Sequence, residues 1–185
     1  MMKRLQREAA LLSLIETMRS RGSWCGETHI QKATYFLQEL LEVPMGFEFI
    51  LYKHGPFSFD LSDEITAMRA NALLQYQLRL PYGPSLFPTE ESRDFLEQYP
   101  KTLKHYAKKI QFVAETIRTL GVADLERLAT ALYVTFNEDG KGISRVNRIT
   151  ELKPHIKIDE ANFAIKAVDT IIRDAIKQGL AVEKR

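Results

Sequence analysis

The 185 residues are 45% hydrophobic and 27% charged, with 26 Lys and Arg against 24 Asp and Glu. That composition fills a core and excludes a disordered chain, and no apolar run approaches the ~18 residues needed to cross a bilayer. A formal net charge of +2 neither supports nor excludes a nucleic-acid partner, so the distribution of charge must decide.

The first helix is expected over Lys3–Arg19, where Leu5, Ala9, Leu12, Ile15 and Met18 recur at spacings of three and four. Glu16 and Arg19 interrupt the apolar run after the basic start, and no small-residue cleavage site follows. The segment therefore reads as a helix and not as a signal peptide. Cys25 is the single cysteine, which excludes an internal disulfide and suits a reducing, cytoplasmic setting. A second helix begins near Thr28, with Thr28 and Gln31 spaced as a capping box and Ile30, Ala33, Leu37, Leu40 and Leu41 as its apolar stripe. Pro44 and Gly46 stop it.

Phe47–Tyr52 is rich in aromatic and β-branched residues and reads as a strand, running into a turn forced by Gly55 and Pro56. A third helix is expected over Leu61–Leu73, with Ile65, Met68 and Ala72 inward. Gln75–Leu80 alternates as a strand, Pro81–Pro84 is a hairpin-like turn, and Leu86–Pro88 returns. Thr89 is placed to cap the next helix, with Glu90 and Glu91 favourable in its first turn. The rest is helical. Leu103, Ile110, Ala114, Ile117 and Leu120 mark one stripe, and Leu125, Leu128, Ala129 and Leu132 the next. Asn137–Gly142 reads as a polar loop, Ile143–Leu152 as a short helix, and the last helix is capped by Asp159 and ended by Gly179. The expected fold is mainly α. A winged-helix-like N-terminal unit with a small β-hairpin (residues 1–99) precedes a helical extension (100–185) packed on it, the two forming either two units or one domain.

Ile30-Gln31-Lys32-Ala33-Thr34-Tyr35-Phe36, followed by His54-Gly55-Pro56-Phe57-Ser58, resembles the Panacea or SocA-like antitoxin-associated group and the related YwgA-like bacterial proteins. Members carry an apolar-Gln-Lys-x-x-Tyr helix and then an extended segment ending in an aromatic-Gly-Pro turn. The resemblance covers about residues 5–100 and, weakly, the tail through Leu152-Lys153-Pro154. Ile30 stands where Leu is usual, and His54 stands where the aromatic precedes the Gly. What the resemblance implies is a small bacterial or phage protein, sometimes paired with a toxin that it neutralises or presents to a protease.

Gln31, Lys32 and Tyr35 have two readings. They form a polar patch for a partner, or Gln31 and Lys32 hydrogen-bond the carbonyls of the Gly55-Pro56 turn and fix it. Gly55 and Pro56 serve backbone geometry. His54 and Phe57 are either exposed residues of a constrained loop that touch a partner, or, for Phe57, part of the core. His29, His54, His105 and His155 lack metal-ligand spacing, so no metal or other cofactor is expected. Cys25 and His29 are four apart, but a helix start falls between them and no orienting group is evident. Gly140-Lys141-Gly142 lacks the wider phosphate-loop spacing, and no catalytic set is expected.

The third helix, which reads DNA in a winged helix, opens with Asp60, Asp63 and Glu64 and offers only Arg69, while the wing offers only Arg79. Basic residues concentrate instead at Lys101, Lys104, Lys108 and Lys109 beside His105, and at Arg145, Arg148, Lys153 and Lys157. The first group is either a solvated helix face or a docking surface for acidic protein or phosphate. The expectation is a non-enzymatic, antitoxin-like module that binds a protein, a toxin or neighbouring gene product, with no membrane partner. The alternative is a DNA-binding regulator that contacts phosphate through the C-terminal basic helices. Wide stripes on the C-terminal helices suit either a homodimer or packing against the N-terminal unit.

Overall fold

The computed structural model describes residues 2–79, 82–137 and 144–182. The mainly helical expectation holds: among these residues the chain forms eight α-helices and two separate two-stranded antiparallel sheets.

Helix α1 (Arg4–Ser20) is the central element. Its apolar residues fall on nearly every side, so Ala10, Leu11 and Leu14 are as buried as Ala9, Leu12, Ile15 and Met18. Such a helix has to be surrounded. The later helices α4 (Glu90–Glu97) and α5 (Pro100–Ile117) and strand β4 (Tyr82–Pro88) all pack on it. Leu5, expected in the stripe, is half exposed at the helix start.

Helix α2 (Glu27–Tyr35) continues into one π-helical turn, Phe36–Leu40. The expected Thr28–Gln31 capping box does not form. Gly26 occupies the cap position, and the Gln31 amide is used elsewhere. Past the π turn, Gln38 clamps the return of the chain: its Oε1 accepts from the Phe47 amide at 2.9 Å and its Nε2 donates to the Phe47 carbonyl at 2.8 Å.

The segment expected as one strand is mostly extended chain, and only β1 (Ile50–Tyr52) is paired. Its partner is β2 (Gly55–Phe57), directly across a two-residue turn at Lys53 and His54, with Leu51 opposite Pro56. Helix α3 (Phe59–Ala70) follows at once, and the Ser58 Oγ accepts from the Leu61 amide at 3.3 Å as its N-cap. Ala72, expected inside, lies beyond the helix end at φ +57° and is exposed. Strands β3 (Leu74–Arg79) and β4 form the second hairpin, which shares no pairing with β1 and β2. Of the expected Pro81–Pro84 turn, Tyr82–Pro84 belong to β4, and residues 80 and 81 lie outside the described residues. Thr89 is the N-cap residue of α4, but its hydroxyl donates to the Ala72 carbonyl rather than capping.

Helix α6 (Val122–Asn137) packs against α2, β2, α7 (Arg145–Leu152) and α8 (Ile158–Lys177). Residues 138–143, with the Gly140-Lys141-Gly142 triplet and Ile143, lie outside the described residues. Lys157, not Asp159, occupies the cap position of α8, and Asp159 stands in its first turn. Gly179 at φ +67° ends that helix, and the Leu180 amide donates back to Ala175 at 2.9 Å. One buried apolar cluster runs from Met2 through Ala175, so α5, α6 and α8 complete the core begun by α1 and α2.

Candidate functional site: an internally braced aromatic turn

Two polar side chains on α2 hold the β1–β2 turn from inside. The Gln31 amide pairs with both backbone groups of Ser58, donating to its carbonyl at 2.9 Å and accepting from its N–H at 3.0 Å. The Lys32 Nζ donates to the Pro56 carbonyl at 2.8 Å. Both side chains are buried, because α2 is enclosed by α1, α3, α5, α6 and β2. Of the two readings of this helix, the geometry is the internal one, and Gln31, Lys32 and Tyr35 present no partner surface. Tyr35 is 1% exposed, edge-on to Phe49 at 5.0 Å between centroids, and burial pushes its phenol pKa well up. Burial likewise pulls the Lys32 ammonium down to about 8, against the attraction of Glu126 and with the repulsion of Lys153.

Pro56 has no N–H, so the hairpin bonds fall at the flanking pairs, and its own carbonyl turns outward to meet Lys32. Gly55 adopts φ +82° and lies against α6. A Cβ there would stand 3.0 Å from the Thr130 Oγ1 and 3.3 Å from the Glu126 carbonyl oxygen. Only glycine meets both the conformation and the close approach without strain.

The turn is also braced by residues from the far side of the chain. The Glu126 carboxylate on α6 meets the His54 Nδ1 at 3.2 Å and the His155 Nε2 at 2.9 Å, one oxygen to each ring. Lys153, nearly buried after α7, donates to the Tyr52 carbonyl and, at 2.6 Å, to that of Lys53. Sequence reasoning passed over Glu126, and it named Lys153 and His155 only as a basic residue in the weakly resembling tail and as a histidine without metal-ligand spacing. Both stand about 100 residues from the turn they support. Among the described residues no group of three or more His, Cys, Asp and Glu side chains is arranged to hold a metal.

What this bracing presents outward is aromatic. Phe57 sits between Tyr52 at 5.8 Å and Phe59 at 5.1 Å, centroid to centroid, with Tyr52 and Phe59 5.7 Å apart. Phe59 is 55% exposed, Tyr52 44% and, opposite Phe57 in the hairpin, Ile50 43%. Phe57 is therefore the half-buried centre of the patch, and Tyr52 and Phe59 are its open faces. His54 is exposed at the tip. Asp60 and Asp63 on α3 are exposed nearby, whereas Glu64, expected beside them, is buried and paired with Arg7 at 2.8 Å. Arg69 stacks on Tyr76, its guanidinium carbon 3.7 Å from the ring centroid.

The basic groups divide. Lys101, Lys104 and Lys108 are exposed on α5, but Lys109 is only partly exposed and donates to the Leu41 carbonyl, closing the end of the π-helical turn. Arg145 makes a two-pronged pair with Asp169 at 2.6 and 2.8 Å, and Arg148 meets Glu151 at 3.3 Å. Cys25 and His29 do not form a pair. The thiol lies 3.7 Å from the Ile15 carbonyl oxygen and burial raises its pKa to about 11, while the His29 Nε2 faces the Leu120 carbonyl. A thiol so held is a poor nucleophile. No helix among the described residues is long and apolar enough to cross a membrane.

Comparison with protein-family models and with curated proteins finds no match for this chain.

Proposed function

We propose that this chain is a non-enzymatic, cytoplasmic protein-interaction module that presents the Ile50–Tyr52–Phe57–Phe59 patch to a partner protein. The observation that carries the reading is the combination of exposed rings with a backbone pinned at Tyr52, Lys53, Pro56 and Ser58 by buried side chains. Exposed aromatics are the residues through which interfaces gain most of their energy, and a surface already ordered loses little entropy on binding. The flanking Asp60 and Asp63 favour a partner with basic groups around an apolar anchor. The resemblance of the Gln31–Tyr35 and His54–Ser58 segments to antitoxin-associated proteins makes a toxin encoded beside this chain the first partner to try. The partner would be suppressed by occlusion or by delivery to a protease.

Of the eight cations in the two C-terminal basic stretches, Lys109, Arg145, Arg148 and Lys153 are spent on the carbonyls of Leu41, Tyr52 and Lys53 and on Asp169 and Glu151, while Lys101, Lys104, Lys108 and Lys157 are exposed. What supports protein ahead of DNA as the partner is that the aromatic patch is flanked by Asp60 and Asp63, which repel phosphate. The test is co-expression with the neighbouring gene product. A complex is expected to form, to fall at least tenfold in affinity in the Tyr52→Ala/Phe59→Ala double variant, and to survive Lys104→Glu/Lys108→Glu. Absence of a complex, or a complex indifferent to the aromatic pair, counts against the reading.

A further inference from the structure

Helix α5 carries Lys101, Lys104 and Lys108 beside His105 on one exposed face. No Asp or Glu occurs anywhere in residues 98–114. Like charges three and four places apart on a helix repel one another, so such a row costs stability unless a partner neutralises it. Cations on other helices are matched: Arg4 with Glu8 at 3.0 Å on α1, Arg127 with Asp124 at 2.7 Å on α6 and Arg148 with Glu151 at 3.3 Å on α7. The three lysines have no carboxylate partner among the described residues. Glu115, the first acid beyond the row, is already shared by Arg21 at 3.2 Å and Arg118 at 3.3 Å. Lys108 lines a groove together with Asp174 but does not pair with it.

The row borders a second feature suited to anions. Lys101 and His105 line an open cleft of about 470 Å³ between α5 and the start of α1, with Gln6, Thr102 and Tyr106. All five side chains can donate a hydrogen bond, and no carboxylate lines the cleft. The Gln6 Oε1 accepts from the Lys3 amide at 3.3 Å, which leaves its NH2 group to donate. Cations flanked by neutral donors are the groups that hold phosphate oxygens on nucleic acids.

The face offers little to other polyanionic partners. The apolar side of α5 is buried in the core through Ile110, Val113, Ala114 and Ile117, so no apolar stripe is left to enter a bilayer. No large apolar side chain of α5 is exposed either, so an acidic protein would find no anchor. Lys101 and Lys108 stand about 10 Å apart along the helix axis. That is close to the ~12 Å width of the B-form major groove, so the ends of the row can reach phosphates on both its edges. The major groove of an RNA duplex is narrow by comparison.

We infer that this face of α5 docks on the phosphate backbone of double-stranded DNA without reading its sequence. It shares no residue with the aromatic turn, so it is a second surface and does not depend on the first. The full chain is titrated against a fluorescent DNA duplex of mixed sequence between about 50 and 200 mM salt, read by anisotropy. Affinity is expected to fall with salt at a slope of about −3 in log K against log concentration, as for about three neutralised phosphates. Lys101→Gln/Lys104→Gln/Lys108→Gln should lose about tenfold or more at the low-salt end and flatten the slope. Lys157→Gln/Lys166→Gln/Lys177→Gln removes the same charge from the start and outer face of α8 and should bind like wild type. All six lysines are exposed, so neither variant disturbs the core, and circular dichroism checks that both fold. No binding at low salt, an α5 variant that binds like wild type, or an equal loss in both variants overturns the inference. So does equal affinity for an RNA duplex, for polyglutamate or for phosphatidylserine vesicles.

Discussion

At the scale of single residues, the turn is held by a few groups with no substitutes. Gly55→Ala forces a Cβ into a left-handed conformation and against Thr130, so a loss of about 1–3 kcal/mol is expected, read as a lower midpoint in urea unfolding. Lys32 makes a second, signed prediction. Its folded pKa, near 8, lies below the unfolded value of about 10.4. Between those values the unfolded chain holds a proton that the folded chain has released, so this group's contribution to stability rises with pH. Cys25 opposes it, since a raised thiol pKa of about 11 loses stability as pH climbs above the ordinary thiol value. The difference in unfolding free energy between wild type and Lys32→Met removes the thiol from the comparison. It should shift in favour of wild type by roughly 1–3 kcal/mol from pH 8 to pH 10.5, and a flat difference would contradict the buried position of this lysine.

Elements come next, and Ser58 is where two of them meet. Its side chain caps α3 while its backbone is matched on both sides by Gln31. Ser58→Ala removes only the cap and should cost about 1 kcal/mol. Gln31→Leu leaves a buried N–H and a buried carbonyl unmatched and should cost about 2–5 kcal/mol, the larger of the two effects in chemical denaturation. The same elements show what a sequence discloses and what it withholds. Helix α1 starts and stops within a residue of its periodic pattern, and Gly179 ends α8 as its position implies. Both signals are local. The Thr28–Gln31 spacing was equally regular but misleading, because the Gln31 amide gained more from two buried backbone groups 27 residues away than from its own helix start. Gln31, Lys32, Gly55 and Pro56 were legible as a unit because Gly and Pro carry backbone meaning by themselves. The bracing by Glu126, Lys153 and His155 was not, since a charged residue on an amphipathic helix or in a connecting segment looks the same whether it faces water or a distant turn. Phe59 was passed over for a similar reason: nothing in a phenylalanine states that it will be left outside.

For the whole molecule, α1 is the decisive element. Because α5 covers part of it and α6 closes over α2 and β2, residues 1–99 alone expose apolar surface on two helices. A chain ending at residue 99 should therefore be aggregated or unfolded, while the full chain should lose helical circular dichroism and Trp24 emission at one common midpoint. Two separated midpoints would mean that the halves fold apart. The same shared core makes the turn rigid, since the residues that brace it come from α2, α6 and the segment after α7.

If the aromatic turn is the binding surface, hydroxyl-radical footprinting of the complex with the neighbouring gene product will detect its protection. Side-chain oxidation of Tyr52, Phe57 and Phe59 is expected to fall sharply on binding while that of Phe163, 77% exposed on α8, stays unchanged. Full oxidation of Tyr52 and Phe59 in a saturated complex would place the interface elsewhere and rule out the aromatic turn.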